Sequence, residues 1–390
     1  MEIMRCLHCY NIPMLRYFLI EDRDGLDRLL DKLRHAGSVA VDLESDNFHH
    51  YRERICLLQF SDGREAYLVD TLKTDIEPLA CIFTDSIVEK VFHDVDYDGR
   101  MILTHLGVKP HPVFDTMVAA RFLGRERVGL SDLLLDYLGV EVDKSLQRAD
   151  WSRRPLSKEM LEYAALDVLH LVDLKKSMER ELAALGRLSW AREEFDRLVE
   201  NLAPLAARGF DYTRVKGWKN LDPRRLAVLQ GLGEWREERA RGLDIPPFRL
   251  LSSEKLLMLA EECPTSMEAM VKSGILTRKQ LERFGKEVLE VITRCVEEGR
   301  EELPVEKRER PVRDPRAEKV MRCLKTVRER AAEALGLDPG FLLPNSQMRE
   351  IARSGAGDLA ELKKSGILRS WQLEAMGQEI ARCINARERA

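Results

Sequence analysis

Two stretches near the end of the chain are close copies of each other. KSGILTRKQLERFGKE (272–287) and KSGILRSWQLEAMGQE (364–379) agree at ten of sixteen positions, with a constant offset of 92. Upstream of each lies a similar segment, PPFRLLSSEKLLMLA and PGFLLPNSQMREIA. From about residue 208 the apolar pattern is helical throughout. Two copies are too few for a solenoid, so each is expected to close as a small helical bundle of its own. Between them EELPVEKRERPVRDP is charged, holds three prolines and lacks apolar periodicity, which marks a linker. In the first copy Asp222 and Pro223 form a helix start, and Leu226, Leu229 and Leu232 begin a buried stripe. A chain of 390 residues is too long for one ordinary core, so two or three domains are expected.

Ahead of the repeat the period changes. In SVAVDLE (38–44), Val39, Val41 and Leu43 fall on one face of a strand, with Ala40, Asp42 and Glu44 on the other. RICLLQF (54–60) and EAYLVD (65–70) read as the next strands, joined by the turn SDG. A short helix near 75–83, a strand VEKVFH and a helix DYDGRMILTHLG follow. After about 115 the pattern is helical, ending in a long run that starts at an N-cap, Ser157. Strand-turn-strand units followed by strand-helix units imply an α/β domain, a mixed sheet flanked by helices.

Charge separates the halves. Residues 1–200 carry 27 Lys+Arg against 37 Asp+Glu, leaving 36 against 30 for the remainder. An acidic front argues against broad capture of nucleic acid there and suits carboxylates that hold cations; the mildly basic rear can touch phosphates or merely be solvated. No run of 18 apolar residues exists, so no membrane span is expected. The start lacks the pattern of a secretory leader. The eight cysteines stand singly apart from Cys6 and Cys9, which is not a disulfide framework and suits a reducing cytoplasm. CLHC resembles half of a zinc site, but no second Cys/His pair stands at a usable spacing.

Three acidic stretches carry the chemistry. Asp42 and Glu44 lie two apart on a strand, on one face and about 7 Å apart at the backbone, where like charges repel unless cations sit between them. The bland alternative is the solvent face of a half-buried strand. In FHDVDYDGRMI, Asp94, Asp96 and Asp98 compete for a functional role, and Asp94 or Asp96 can merely cap the helix that follows. In EYAALDVLHL, Tyr163 and Asp167 share a helix face one turn apart, with Ala164 and Ala165 leaving room for another body. Acids gathered from separate elements can hold two divalent cations, Mg²⁺ or Mn²⁺, of the kind that serve phosphodiester cleavage. A phenol with an ordinary pKa of about 10 is no base at neutral pH, so Tyr163 would orient a water.

VDLES, FHDVDYDGRMI and YAALDV, in that order, resemble the three motifs of the DEDD 3′→5′ exonucleases, and within them bacterial ribonuclease D. FDTMVAARFLG and the run from VGLSDLLLDYLGVEVDKSLQRADW onward are similar to that family too, and the repeated modules at about 211–295 and 315–388 resemble HRDC domains. The resemblance implies an RNase H-like exonuclease domain over 1–207, with 1–15 an extension of unknown role. It implies HRDC bundles over 208–300 and 315–390, and a linker over 301–314. It carries the metal-binding acids onto Asp42, Glu44, Asp98 and Asp167, selecting Asp98 because the family pattern sets it five residues after His93, and it matches Tyr163 to the tyrosine of one subclass. Asp115, Lys144 and Arg154 fall at characteristic positions, with Asp115 and Arg154 expected to support the site or touch phosphates. Asp94-Val95 departs from the small residues common after the histidine. The implied activity is removal of nucleotides from RNA 3′ ends, precursor tRNA and small structured RNAs among them, by a monomer using two divalent cations. A DNA exonuclease, or an RNA-binding protein without chemistry, are the competing expectations.

Overall fold

The computed structural model describes residues 15–143, 145–205, 209–297, 314–354 and 356–385. Cys6, Cys9, Lys144 and nearly all of the linker lie outside the described residues. The first elements, in chain order, are β1 (Tyr17–Ile20), α1 (Arg23–Arg34), β2 (Ser38–Ser45), β3 (Ile55–Ser61), β4 (Ala66–Asp70), α2 (Ala80–Thr84), β5 (Glu89–Phe92), α3 (Val95–Leu106) and β6 (Val113–Asp115). Five helices follow: α4 (Thr116–Phe122), α5 (Leu130–Leu138), α6 (Lys158–Leu169), α7 (Leu171–Ala184) and α8 (Leu188–Glu200). The strands form one mixed sheet in the order β1-β4-β3-β2-β5-β6. β3 runs antiparallel to both its neighbours, and the remaining pairs are parallel.

Both faces of this sheet are covered, which explains why β3 and β4 are buried along their whole length. Val39, Val41 and Leu43 join the core with Leu26, Leu30 and Leu33 of α1, while Ala40 turns to the core that holds Ala164 and Val168 of α6. β2 is thus a central strand, not the half-solvated one that its alternation allows. β1 and β6 are absent from the sequence reading because four and three residues are too few to show a period. The long helical run breaks at His170, since α6 lies across β2, β3 and β4 whereas α7 packs on α4 and α5.

The first helical module holds α9 (Pro223–Gly242), α10 (Pro247–Leu250), α11 (Ser253–Glu262), α12 (Met267–Ser273) and α13 (Arg278–Glu297). The second holds α14 (Pro315–Leu335), α15 (Pro339–Leu342), α16 (Asn345–Arg353), α17 (Leu359–Lys364) and α18 (Ser370–Asn385). The duplication extends to single hydrogen bonds. Gln280 Nε2 donates to the Leu250 carbonyl at 3.2 Å and Gln372 Nε2 to that of Leu342 at 2.8 Å. Arg236 reaches the Leu251 carbonyl at 3.1 Å and Arg328 that of Leu343 at 3.2 Å.

Compactness does not follow chain order. One unit contains residues 1–45, 55–205 and 313–390, so the second module packs with the sheet domain. The other contains 46–54 and 206–312. One expectation needs correcting. Cys323 of α14 and Cys383 of α18 form a disulfide, with Cα atoms 5.6 Å apart, because the bundle brings side chains 60 residues apart together. Isolated spacing along the sequence gave no sign of it. Among the described residues no helix is long and apolar enough to cross a membrane.

Candidate active site

β2 sets the geometry. Its pleat puts Asp42 and Glu44 on one face, in register with Gln59 and Leu57 of β3. α6 lays its small face over these strands, and Tyr163 and Asp167 arrive beside them; Ser157 caps the helix by accepting from the Met160 amide at 3.3 Å. Oxygens of Asp42, Glu44 and Asp167 lie within 4.8 Å of one another. The three line one side of a cavity of about 350 Å³, together with Tyr163 and His93.

Asp98 comes from α3, and its placement has a distant cause. The Asp115 carboxylate, wholly buried, accepts from the Val95 amide at 2.8 Å and from the Val118 amide at 2.9 Å. One side chain therefore serves the starts of both α3 and α4. Ser45 Oγ and the Tyr97 hydroxyl, 2.8 Å apart, clasp α3 to the end of β2. Asp98 is buried one turn into the helix, and its carboxyl group shares a hydrogen bond with that of Asp42. Asp94, at the N-cap position, is exposed, has φ 69° and makes no side-chain cap. Asp96 is exposed and pairs with Arg100 at 3.6 Å.

Burial lifts all four acids above the ordinary carboxylate range. Asp42 is pushed up to about 6. Burial raises Glu44 first, and then the charges of Asp42, Asp167 and Asp98 add to it. Asp98 is raised by burial and by Asp42, and Asp167 likewise. Tyr163 donates to Asp167, packs on Trp151 with ring centres 6.0 Å apart, and is held protonated by burial and by the acids around it. Converging carboxylates that repel one another are a donor set suited to hard cations, so the residues present fit divalent metal ions.

Arg154 and His93 are positioned differently. All five N–H groups of Arg154 find protein acceptors: both Asp70 oxygens at 2.6 Å, the carbonyls of Trp151 and Arg153 at 2.7 Å, and that of Cys56 at 2.8 Å. No donor remains for a phosphate. His93 Nδ1 lies 2.9 Å from Thr116 Oγ1, whose proton goes to the Phe92 carbonyl. His93 must therefore donate through Nδ1. The sequence reading missed Gln59, fully buried opposite Asp42, whose side-chain amide has no hydrogen-bond partner among the described residues. A lone polar residue in the otherwise apolar ICLLQF was the available sign.

Comparison with known proteins gives the family. A family profile described as 3′–5′ exonuclease matches residues 17–183, and the HRDC domain profile matches 225–292 and 317–384. Ribonuclease D of Pseudomonas paraeruginosa is 31% identical over 95% of this chain and 97% of its own. The chain belongs to the ribonuclease D family. Its relative from Zymomonas mobilis is 33% identical over 73% of this chain and 74% of its own length. The crystal structure of Escherichia coli RNase D, described as an exoribonuclease involved in structured RNA processing, superposes with a TM-score of 0.71. That similarity covers 95% of this chain and 99% of that one at 25% identity. As a ribonuclease D family member with the exonuclease domain, the chain is a phosphodiester-hydrolysing 3′–5′ exonuclease.

Proposed function

We propose that the protein trims the 3′ ends of precursor tRNA and other small structured RNAs one nucleotide at a time, releasing nucleoside 5′-monophosphates. One observation carries the reading: the convergence of Asp42, Glu44 and Asp167, with Asp98 bonded to Asp42, in a cavity that also holds a neutral tyrosine. Two divalent cations, Mg²⁺ or Mn²⁺, held by these four acids would supply a more acidic water and charge balance at the attacked phosphate. The chain's own groups do the rest. The acids lose their protons when they ligate. Tyr163 keeps its proton and orients the water towards the phosphorus by hydrogen bonding. His93, on the cavity wall, and Lys144, on the family pattern, are assigned to contacting substrate or supporting the site. Asp115 and Arg154 act at one remove, by holding α3 and the segment that leads into α6.

In this reading residues 1–207 are the exonuclease domain, 208–300 and 315–390 are HRDC domains, 301–314 is a linker, and the protein works as a cytoplasmic monomer. The test is digestion of a 3′-extended RNA and a matched DNA by purified protein in Mg²⁺. Stepwise shortening of the RNA with release of 5′-monophosphates is expected, and EDTA or Asp42→Ala should abolish it. Tyr163→Phe should lower kcat by roughly 10²-fold while Mn²⁺ still binds. Full-rate digestion by Asp42→Ala, or preference for the DNA, rejects the reading.

A further inference from the structure

The two modules share a fold but not a use for one face of it. In the second module Gly340, Phe341, Arg369 and Trp371 line one cavity. This face is occupied by the sheet domain. Trp371 stands 5.1 Å from Phe122 and 5.9 Å from Trp190, ring centre to ring centre, and Phe341 stands 4.8 Å from Phe122. Arg369 Nε donates to Glu194 at 3.2 Å. The α18 start, moreover, holds an anion: the Glu193 carboxylate accepts from the Ser370 amide at 2.7 Å and from the Trp371 amide at 3.0 Å.

The offset of 92 places Phe248, Arg249, Thr277, Arg278 and Lys279 at the equivalent positions of the first module. Trp371 has become Lys279, Phe341 has become Arg249 and Ser370 has become Arg278. All three basic residues are exposed, and Phe248 is 54% exposed. α13 has no acidic residue in its first turn. Its Arg278 and Lys279 amides, the counterparts of the pair that binds Glu193, have no acceptor among the described residues. Three local contacts compete: Phe248 meets Phe48 edge-on with ring centres 6.5 Å apart, Arg278 pairs with Glu282 at 2.9 Å, and Arg249 Nη2 lies 3.2 Å from His49 Nδ1. The two polar contacts are exposed and weak enough to yield.

We propose that this face of the first module, built from Arg249, Lys279 and the α13 start, is a phosphate site for the RNA body upstream of the cleaved end, with Phe248 as a platform for a base. The second module shows the same backbone cradle with a carboxylate seated in it. A helix start of 20 residues flanked by cations selects oxyanions, and an exposed aromatic beside it is the pairing that tracks a nucleic-acid backbone. The proposal rests on the exoribonuclease reading.

The test uses the full chain and an RNA hairpin with a 3′ tail, bound in EDTA so that nothing is cut. The double variant Arg249→Glu/Lys279→Glu should bind roughly tenfold more weakly, with a salt dependence shallower by about one to two phosphates. The alanine pair should fall between. Arg294→Glu, exposed on the same helix about 24 Å further along, should leave the slope unchanged. A five-nucleotide RNA, digested in Mg²⁺, should be cut at the parent's rate by every variant. Unchanged hairpin affinity and slope in the double variant overturns the proposal, as does an equal loss in Arg294→Glu. Failure of the parent to cut the pentanucleotide would instead overturn the exoribonuclease reading.

Discussion

Asp42 shows how chemistry and stability oppose each other at a single side chain. Burial raises its pKa to about 6, while the unfolded chain keeps the ordinary value near 4. Between those values the folded protein holds a proton that the unfolded chain has lost. Stability from this group is therefore present at low pH and falls as pH rises through 6. Glu44, Asp98 and Asp167 are displaced in the same direction. Removing one charge should relieve the conflict. In EDTA at pH 7.5, Asp42→Asn should be more stable than the parent by on the order of 1–3 kcal/mol, with cavity water reducing the figure. The gap should narrow as pH falls through 6 and close only below about pH 4, where folded and unfolded chains both hold the proton, and Mn²⁺ should raise the melting temperature of the parent but scarcely that of the variant. Calorimetry across this pH range, with and without Mn²⁺, reads all three effects. A variant no more stable than its parent in EDTA would mean that other groups already balance the charge.

At the scale of elements, what the sequence made legible was local. The alternation in SVAVDLE, the Ser157 cap and the one-turn spacing of Tyr163 and Asp167 are each set within a few residues, and the structure places each as read. The choice among Asp94, Asp96 and Asp98 was not local. Helical spacing puts all three near one start, and what aims Asp98 inward is a carboxylate from β6, a strand too short to detect. Asp115 thus governs where α3 begins without facing the cavity. Asp115→Ala should lose about 2–4 kcal/mol, because two buried amides are left unpaired. It should also lower kcat by roughly 10²-fold through displacement of Asp98. Asp115→Asn keeps one acceptor and should recover part of both losses. Thermal melts and single-turnover digestion separate the outcomes, and a stable but inactive Asp115→Ala would assign Asp115 a direct role instead.

On the scale of the whole molecule, the duplication was legible and the fate of each copy was not. Residue identity shows that the bundles repeat, but the partner of an exposed face is decided by another part of the chain. The second module is joined to the sheet domain by more than its aromatic residues. Arg187 donates both to the Phe122 carbonyl at 2.8 Å and to that of Leu335 at 2.6 Å, tying the two together. The indole of Trp190 donates to Glu374 at 2.9 Å. Gly124, at φ 70°, comes so close to the Gly336 carbonyl that any side chain would collide with backbone. Trp371, 2% exposed, is the largest apolar group that the second module brings to this seam. Replacing it with the residue of the first copy tests how far the seam depends on it. Trp371→Lys removes the ring from the aromatic cluster, leaving an ammonium whose available partner is the Glu194 carboxylate that the indole N–H reaches at 3.4 Å, and should cost about 3–5 kcal/mol at the seam. If the sheet domain and second module melt together in the parent, this variant should divide that transition in two. Gly124→Ala should weaken the same seam by strain alone, with the aromatic contacts intact. A Trp371→Lys protein that still melts in one step at the parent's temperature would show that the hydrogen bonds of Arg187 and Glu193 suffice, and that the aromatic cluster fills space without joining the two parts.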